Sequence, residues 1–291
     1  MQPSARTSSG LAALLLAILA ISTGAPFVRL AQPAPALTVA ALRVCLAAIV
    51  FLAIGRDAVA RVRALPAVER RWVGAAGLLF GAHLGLWITS LYFTSTAASV
   101  ALVATSPVFA AVFGLLLGDR VRPREWLGIA IAGAGCALLA GGDWRAGGLA
   151  VLGDALSVLA AACAAAYLVV GRRLRAAMPL APYLALVNGV AGAGLLVAAV
   201  GSGAPLIGLP ALSYVGIAGG ALVASLGGHT LLNWAVRRTP THLVALCVLG
   251  EPVGSSLLTW AIFGERPPAH AVVGGAVILV GIGVGFAGRR G

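Results

Sequence analysis

The chain has 291 residues, of which 60% are hydrophobic and only 10% are charged, and its formal net charge is +12. Soluble domains average about 45–50% apolar and about 25% charged residues, so this composition excludes an ordinary soluble protein. All 20 basic residues are arginines, and most lie in short clusters between apolar runs. Clusters this short do not form the extended phosphate-binding surface of a nucleic-acid-binding protein, so we expect no nucleic-acid partner.

Ten long apolar runs follow one another along the chain. A membrane-spanning helix needs about 20 apolar residues, so these runs predict helices rather than the alternating strands of a membrane β-barrel. The predicted spans cover residues 11–30, 36–55, 72–93, 95–118, 126–141, 149–171, 183–201, 211–236, 242–263 and 271–288. We therefore expect an all-α integral membrane protein with ten transmembrane helices and the lipid bilayer as its surroundings.

The arginines predict how the spans are oriented. Counted by alternate loops, sixteen arginines lie on one side and three, Arg29, Arg145 and Arg266, on the other, while Arg43 lies inside the second span. Cytoplasmic loops carry the excess of positive charge, which predicts cytoplasmic N- and C-termini in a cell (inner) membrane. Tyr183 and three tryptophans fall near the predicted inner interface, as in an aromatic belt. A cleaved signal peptide is the alternative for the first span, and the repeat described next favours a retained helix.

The two halves of the chain contain a repeated pattern. The tripeptide Gly118-Asp119-Arg120 recurs 146 residues later as Gly264-Glu265-Arg266, and His83 recurs at the same offset as His229. Three glycines also recur at this offset: Gly128, Gly135 and Gly142 match Gly274, Gly281 and Gly288. Because the matches extend over three spans, they indicate an internal duplication.

Each repeat unit holds five spans, and an odd number forces the second unit to insert upside down. We predict two inverted five-helix repeats, residues 1–143 and 144–291, with the Asp119 and Glu265 loops on opposite faces of the membrane. Inverted repeats are typical of alternating-access carriers, which bind substrate near the midplane between the two units. A carrier is therefore the leading functional class.

Two segments at equivalent positions of the repeat resemble a known family. Residues 103–120, with VATSPVF followed by LLLGDR, resemble the fourth span of the EamA family in the drug/metabolite transporter superfamily. Residues 249–266, with LGEPV followed by FGER, resemble the ninth span, and Leu42-Arg43 and residues 153–156 also fit the family. The resemblance thus covers both halves of the chain.

The resemblance implies a fold and a class of function. It implies a central cavity lined mainly by the third, fourth, eighth and ninth spans, with help from the first and sixth, and export of small metabolites. Small multidrug relatives carry a membrane-embedded glutamate in the first span, whereas residues 11–30 contain no acid. We therefore favour a small-molecule substrate such as an amino acid or similar zwitterion. Proton-coupled efflux of drugs or quaternary cations is the alternative.

Two charged residues inside the spans are candidates for substrate binding. Glu251 is the only carboxylate near the centre of a predicted span, and burying its charge in a membrane is costly, so it should face protein or water. It is a candidate to bind a substrate ammonium or to carry a coupling proton, or else it is a protonated or paired structural residue. Arg43 is a candidate to bind a substrate carboxylate, with snorkelling to the interface as the alternative.

Two helix faces are further candidates. His83 and Trp87 share a face of the third span at i, i+4, and His229 and Asn233 share a face of the eighth. Both histidines lie near mid-depth, where imidazoles beside a cavity can bind a carboxylate or relay protons. The structural alternative for each histidine is a satisfied hydrogen bond between helices.

Pro107 and Pro252 fall in the middle of the fourth and ninth predicted spans. Each removes one backbone hydrogen bond and frees a carbonyl group. They are candidates for hinges, with packed static kinks as the alternative.

Other functional classes find little support. The four cysteines stand alone in apolar segments without metal-ligand spacing, so we expect no metal and no cofactor. An intramembrane enzyme is disfavoured because Asp154 has no second aspartate in a comparable setting and paired histidine boxes are lacking. The small-residue rows Gly128-Ala132 and Gly281-Gly285 suit close helix packing, either within the chain or between subunits, so a monomer and a homodimer both stay open.

Overall fold

The computed structural model describes residues 3–94, 96–140, 148–264 and 266–287, and every regular element in these ranges is a helix. Nine helical stretches in the described ranges are long and apolar enough to cross a membrane. The prediction of an all-α membrane protein is therefore confirmed. Glu265 of the second repeated tripeptide and the repeated glycines Gly142 and Gly288 lie outside the described residues.

The first half of the chain forms spans one to five. The first span consists of the helices Pro3–Ser22 and Gly24–Ala31, and the fourth of Thr96–Val103 and Ser106–Leu116. The second, third and fifth spans are the helices Ala36–Ile54, Ala67–Ser90 and Pro123–Ala140. A short helix, Ala58–Ala64, connects the second span to the third.

The second half forms spans six to ten. The sixth, seventh and tenth spans are the helices Leu149–Ala177, Leu180–Gly201 and Ala269–Phe286. The eighth span consists of Ala211–Gly219, a π-helix over Gly220–His229, and Thr230–Ala235. The ninth span consists of Thr241–Val248 and Glu251–Phe263.

The fifth span is the one predicted span outside the nine apolar stretches of the described residues. Arg124 and Glu125 in its first turn lower its mean hydropathy. The helix nevertheless has 18 residues, the same length as the tenth span, and packs along it. With this helix the chain reaches the predicted ten spans.

Glycines hold the fifth and tenth spans together. A Cβ atom added to Gly135 would lie 2.7 Å from the carbonyl oxygen of Gly274, and one added to Gly128 would lie 2.7 Å from that of Gly281. The backbones therefore approach as closely as in other membrane helix pairs built on small residues. Because higher residue numbers on one helix meet lower numbers on the other, the two helices are antiparallel. The small-residue rows thus pack against each other within one chain.

The same contacts show that the repeat is inverted. At the offset of 146 residues, Gly128 and Gly135 correspond to Gly274 and Gly281. The repeat therefore maps the contact between Gly135 and Gly274 onto the contact between Gly281 and Gly128, which is also present. Two antiparallel helices whose contacts exchange in this way are related by a pseudo-two-fold axis, as inverted repeats require.

The fourth and ninth spans are interrupted, whereas the sequence predicted continuous runs. Each interruption lies directly before a repeated proline, and Pro107 and Pro252 both occupy the first turn of the helix that follows. Proline cannot donate a helical hydrogen bond, so the carbonyls four residues earlier lose their partners at Val103 and Val248, where the preceding helices end. Both spans also end at a glycine with positive φ, +85° at Gly118 and +73° at Gly264, which only glycine adopts readily.

The eighth span differs from the prediction in its helix type. Its middle section is a π-helix, in which one extra residue per turn rotates the side chains relative to a regular α-helix. This section contains Ser225 and ends at His229, which both lie at or next to the central cavity. Segments of π-helix occur often at functional sites.

Polar contacts connect the two halves at the arginine-rich side, the end of the molecule where most of the arginine-containing loops lie. Arg172 donates to the carboxylate of Asp119 at 2.7 Å. His242 Nε2 lies 3.0 Å from the carboxylate of Glu125, and both side chains are buried. Each pair joins one residue of the first half to one of the second, so these contacts help to fix the halves around the cavity.

Candidate substrate cavity

A cavity lies between the two halves, near the middle of the spans. The wall comes from the first, second, third, fourth, sixth, eighth and ninth spans. The lining residues are Ile21, Arg43, His83, Leu84, Trp87, Val103, Ser106, Ala164, Tyr167, Leu168, His229, Leu232, Val248 and Glu251.

The cavity wall follows the inverted repeat. Two pairs of lining residues match at the offset of 146 residues: Ile21 and Tyr167, and His83 and His229. Two more pairs match at an offset of 145 residues, which also matches Pro107 to Pro252: Val103 and Val248, and Ser106 and Glu251. The charged residues break this symmetry, because Glu251 has Ser106 as its counterpart and Arg43 has Gly189. The wall thus follows the repeat in part, and its two charged residues have no charged counterparts.

Arg43 projects inward from the second span and is only 2% exposed, so it does not snorkel to the interface. Its Nε donates a hydrogen bond to Ser225 Oγ at 3.0 Å, and its Cζ lies 5.9 Å from the centre of the Trp87 ring. Both contacts favour the charged guanidinium. Its Nη1 is buried without a hydrogen-bond partner. Arg43 is thus held in place while one donor stays available.

Glu251 is the first residue of the second helix of the ninth span. The interruption before Pro252 places its side chain at the cavity wall. Arg43 is its electrostatic partner, but the two charged groups do not approach within the 4.0 Å of an ion pair. Among the described residues, no side chain or backbone group donates a hydrogen bond to the Glu251 carboxyl group. Both residues therefore line the same cavity.

The two histidines meet across the cavity, with ring centres 6.4 Å apart in an edge-to-face arrangement. His83 Nδ1 lies 3.0 Å from the backbone carbonyl of Ala160. Because a carbonyl can only accept, Nδ1 carries the proton and the unprotonated Nε2 of the neutral ring is the acceptor. His229 packs edge-on against Phe80 at 5.0 Å. The two histidines lie together at the cavity wall, and their role in transport stays a prediction.

Trp87 and Asn233 occupy equivalent positions of the repeat, but only Trp87 lines the cavity. Asn233 lies behind Tyr167, and its amide donates to Tyr167 Oη at 2.5 Å and to the His229 carbonyl at 2.7 Å. The expectation that Asn233 itself lines the path is therefore wrong. Its contact places Tyr167 at the wall instead.

Three further polar residues at or beside the cavity were missed from the sequence as binding residues. They are Ser106, Tyr167 and Ser225. Tyr167 corresponds to Ile21 at the 146-residue offset that matched the two histidines, and Ser106 corresponds to Glu251 at the 145-residue offset that matched Pro107 to Pro252, so the repeat gave a usable signal for both. Ser225 gave no such signal, because its position depends on the π-helix.

Comparison with known proteins identifies the family. Both halves of the chain match the EamA-like transporter family, over residues 8–141 and 151–286. The chain belongs to this family. The protein is thus a multi-pass membrane transporter of the drug/metabolite transporter type, which confirms the resemblance seen in the two repeated segments.

A solved structure supports the same fold. This structure is described only as "Crystal structure of protein". It matches the chain with a TM-score of 0.77 and 22% sequence identity, and the match covers 96% of each chain. At this identity the likeness shows the fold alone. No curated protein matches the chain. The chemistry of the substrate must therefore be argued from the cavity itself.

Proposed function

We propose that the protein is a secondary transporter that exports amino acids or similar small zwitterions. The observation that carries this proposal is the presence of Arg43 and Glu251 in one cavity without an ion pair between them. Buried charges are costly unless they are paired, and a zwitterion brings the carboxylate and the ammonium that pair both. A quaternary cation would leave Arg43 without a counter-charge, which disfavours the alternative of cation efflux.

The geometry of the wall suggests how such a ligand binds. The ligand carboxylate accepts from the free Nη1 of Arg43, and its ammonium donates to the carboxylate of Glu251. The remaining wall is mostly apolar, with Trp87, Leu84 and Val103 among its side chains. A small apolar or aromatic ligand side chain would bury its surface there.

Alternating access is the mechanism that we propose for release. The two repeats pack around the cavity as similar units, and the interruptions before Pro107 and Pro252 lie at equivalent points of its wall. Hinge motion there would expose the cavity first to one side and then to the other. The excess of arginines on one side supports cytoplasmic termini in the inner membrane, and the family supports export.

Matched ligands test the proposed substrate class. The purified protein is screened by thermal unfolding against the natural amino acids, and the best ligand is compared with its decarboxylated amine and its deaminated acid. We expect either analogue to bind about tenfold or more weakly, because each leaves one buried charge unpaired. Arg43→Gln should remove the preference over the amine, and Glu251→Gln should remove the preference over the acid.

A surface variant provides the control for this comparison. Arg173 pairs with Glu69 at the protein surface at 3.0 Å, so Arg173→Gln removes an arginine without touching the cavity. It should leave both preferences unchanged. If the wild-type protein binds the amine as tightly as the zwitterion, the substrate is a cation and the proposal fails.

A further inference from the structure

A second group of buried polar side chains lies between the cavity and the arginine-rich side. Tyr167, Gly171 and Arg175 follow at intervals of four residues on the sixth span, so they share one face over about 12 Å of helix. Tyr167 lines the cavity, and Arg175 lies in the last turn of the helix. We call Tyr167, Arg175, Tyr183 and Asn233 the Arg175 cluster.

The cluster is closely packed. Its four side chains are between 0% and 3% exposed. A Cβ atom on Gly171 would lie 2.6 Å from Tyr183 Oη, so the glycine creates the space that the Tyr183 hydroxyl occupies. Asn233 from the eighth span donates to Tyr167 Oη. Three spans therefore meet at this point.

Several polar atoms of the cluster have no hydrogen-bond partner. They are Tyr183 Oη, Asn233 Oδ1 and Arg175 Nε. Buried polar atoms are nearly always paired, and an unpaired one costs free energy, so the donors of Tyr183 and Arg175 indicate a missing acceptor. Asn233 Oδ1 is itself an acceptor and does not belong to this count. Tyr183 and Arg175 offer O–H and N–H donors. The polar neighbour of the Tyr183 hydroxyl is the Tyr167 hydroxyl, which itself accepts a hydrogen bond from Asn233.

The charge of the cluster defines the missing partner. Arg175 Nη1 donates to the backbone carbonyl of Met178, and its charged neighbours are Arg237 and Arg238. Within the described ranges, no carboxylate pairs with Arg175. A buried guanidinium without a counter-charge is unfavourable, so a negatively charged group would stabilise the site most.

We propose that the Arg175 cluster binds the negatively charged group of a small anion, which accepts hydrogen bonds from Arg175 Nε and the Tyr183 hydroxyl. The anion is a free halide or the carboxylate of a substrate that moves between the cavity and the arginine-rich side. The substrate carboxylate as the source rests on the proposed function, whereas the free halide does not. The site itself is separate from Arg43 and Glu251.

Anion exchange at constant ionic strength tests this site. Thermal unfolding of the purified full-length protein is followed while gluconate, a large anion, is replaced stepwise by chloride or by acetate. The wild-type protein should show a saturable rise of the unfolding midpoint with at least one small anion. In Tyr183→Phe the apparent affinity should fall about tenfold or more, because one donor is lost.

The remaining variants locate the effect. Tyr183→Phe removes only an unpartnered hydroxyl, so it should fold and should be at least as stable as the wild type in gluconate. Tyr214→Phe, which removes the hydroxyl of an exposed tyrosine, should keep the wild-type response. A response to chloride alone would identify a resident halide, and a response to acetate as well would identify a site open to carboxylates.

Three results would overturn the inference. The first is a wild-type midpoint that does not change with either small anion. The second is a response that Arg43→Gln abolishes and Tyr183→Phe retains, which would place the anion in the cavity and leave the zwitterion proposal intact. The third is a marked loss of stability of Tyr183→Phe in gluconate, because the hydroxyl would then be paired within the protein.

Discussion

Glu251→Gln should abolish the response of transport to a pH gradient. In inside-out vesicles, uptake corresponds to export, and an acidic interior should raise uptake by the wild-type protein. The physical reason is competition, because an ammonium and a proton cannot occupy the Glu251 carboxylate together. Glutamine keeps the shape of the side chain but cannot titrate, so uptake by the variant should no longer depend on the gradient.

Exchange of substrate should stay measurable in Glu251→Gln. Arg43 still binds the ligand carboxylate, while the loss of a charge-assisted contact weakens binding about tenfold or more. Glu69→Gln, which changes a carboxylate at the protein surface, serves as the control and should respond like the wild type. If wild-type transport ignores the gradient and the glutamine variant still concentrates substrate, Glu251 neither couples a proton nor binds the ammonium.

Gly281→Ala adds a single methyl group and should nevertheless destabilise the protein measurably. The new Cβ atom would lie 2.5 Å from the backbone nitrogen and 2.7 Å from the Cβ of Ala132 on the fifth span. These atoms belong to a helix backbone or lie next to it, so the two helices must move apart. Overpacking of this kind costs about 1–3 kcal/mol, which lowers the unfolding midpoint by several degrees.

Gly283 is a matched control two residues along the same helix. A Cβ atom added there meets nothing within 4 Å. Because alanine favours a helix more than glycine does, Gly283→Ala should be neutral or slightly stabilising. Equal unfolding midpoints for the two variants would show that the fifth and tenth spans do not pack through these glycines.

Much of the fold could be predicted because a membrane imposes simple requirements. Long apolar runs specify spans, and an odd number of spans in a repeat specifies inversion. The orientation that the arginine clusters indicate stays a prediction. The interruptions before Pro107 and Pro252 were only partly visible, since proline marks a kink without fixing where the helix stops. The π-helix of the eighth span left no pattern that a sequence reading can use.

Some of the buried polar residues could be singled out from the sequence, and others could not. Arg43 and Glu251 stood out because charge is rare inside an apolar span, and the structure places both at one cavity. Arg175 and Tyr183 were not recognised as buried residues of a site, because arginines and tyrosines near span ends usually mark the topology and the membrane interface. Their inward direction depends on the face of the helix and on the space at Gly171, which only the three-dimensional packing shows.

Counterflow with the purified protein in liposomes tests the central claim most directly. Vesicles are loaded with a high concentration of the unlabelled amino acid found by thermal unfolding, and trace labelled amino acid is added outside. A zwitterion carrier that alternates between two states should accumulate the label transiently above its outside concentration, and Arg43→Gln should reduce this accumulation at low substrate. A label that only equilibrates, with no stimulation by internal substrate, would contradict the account.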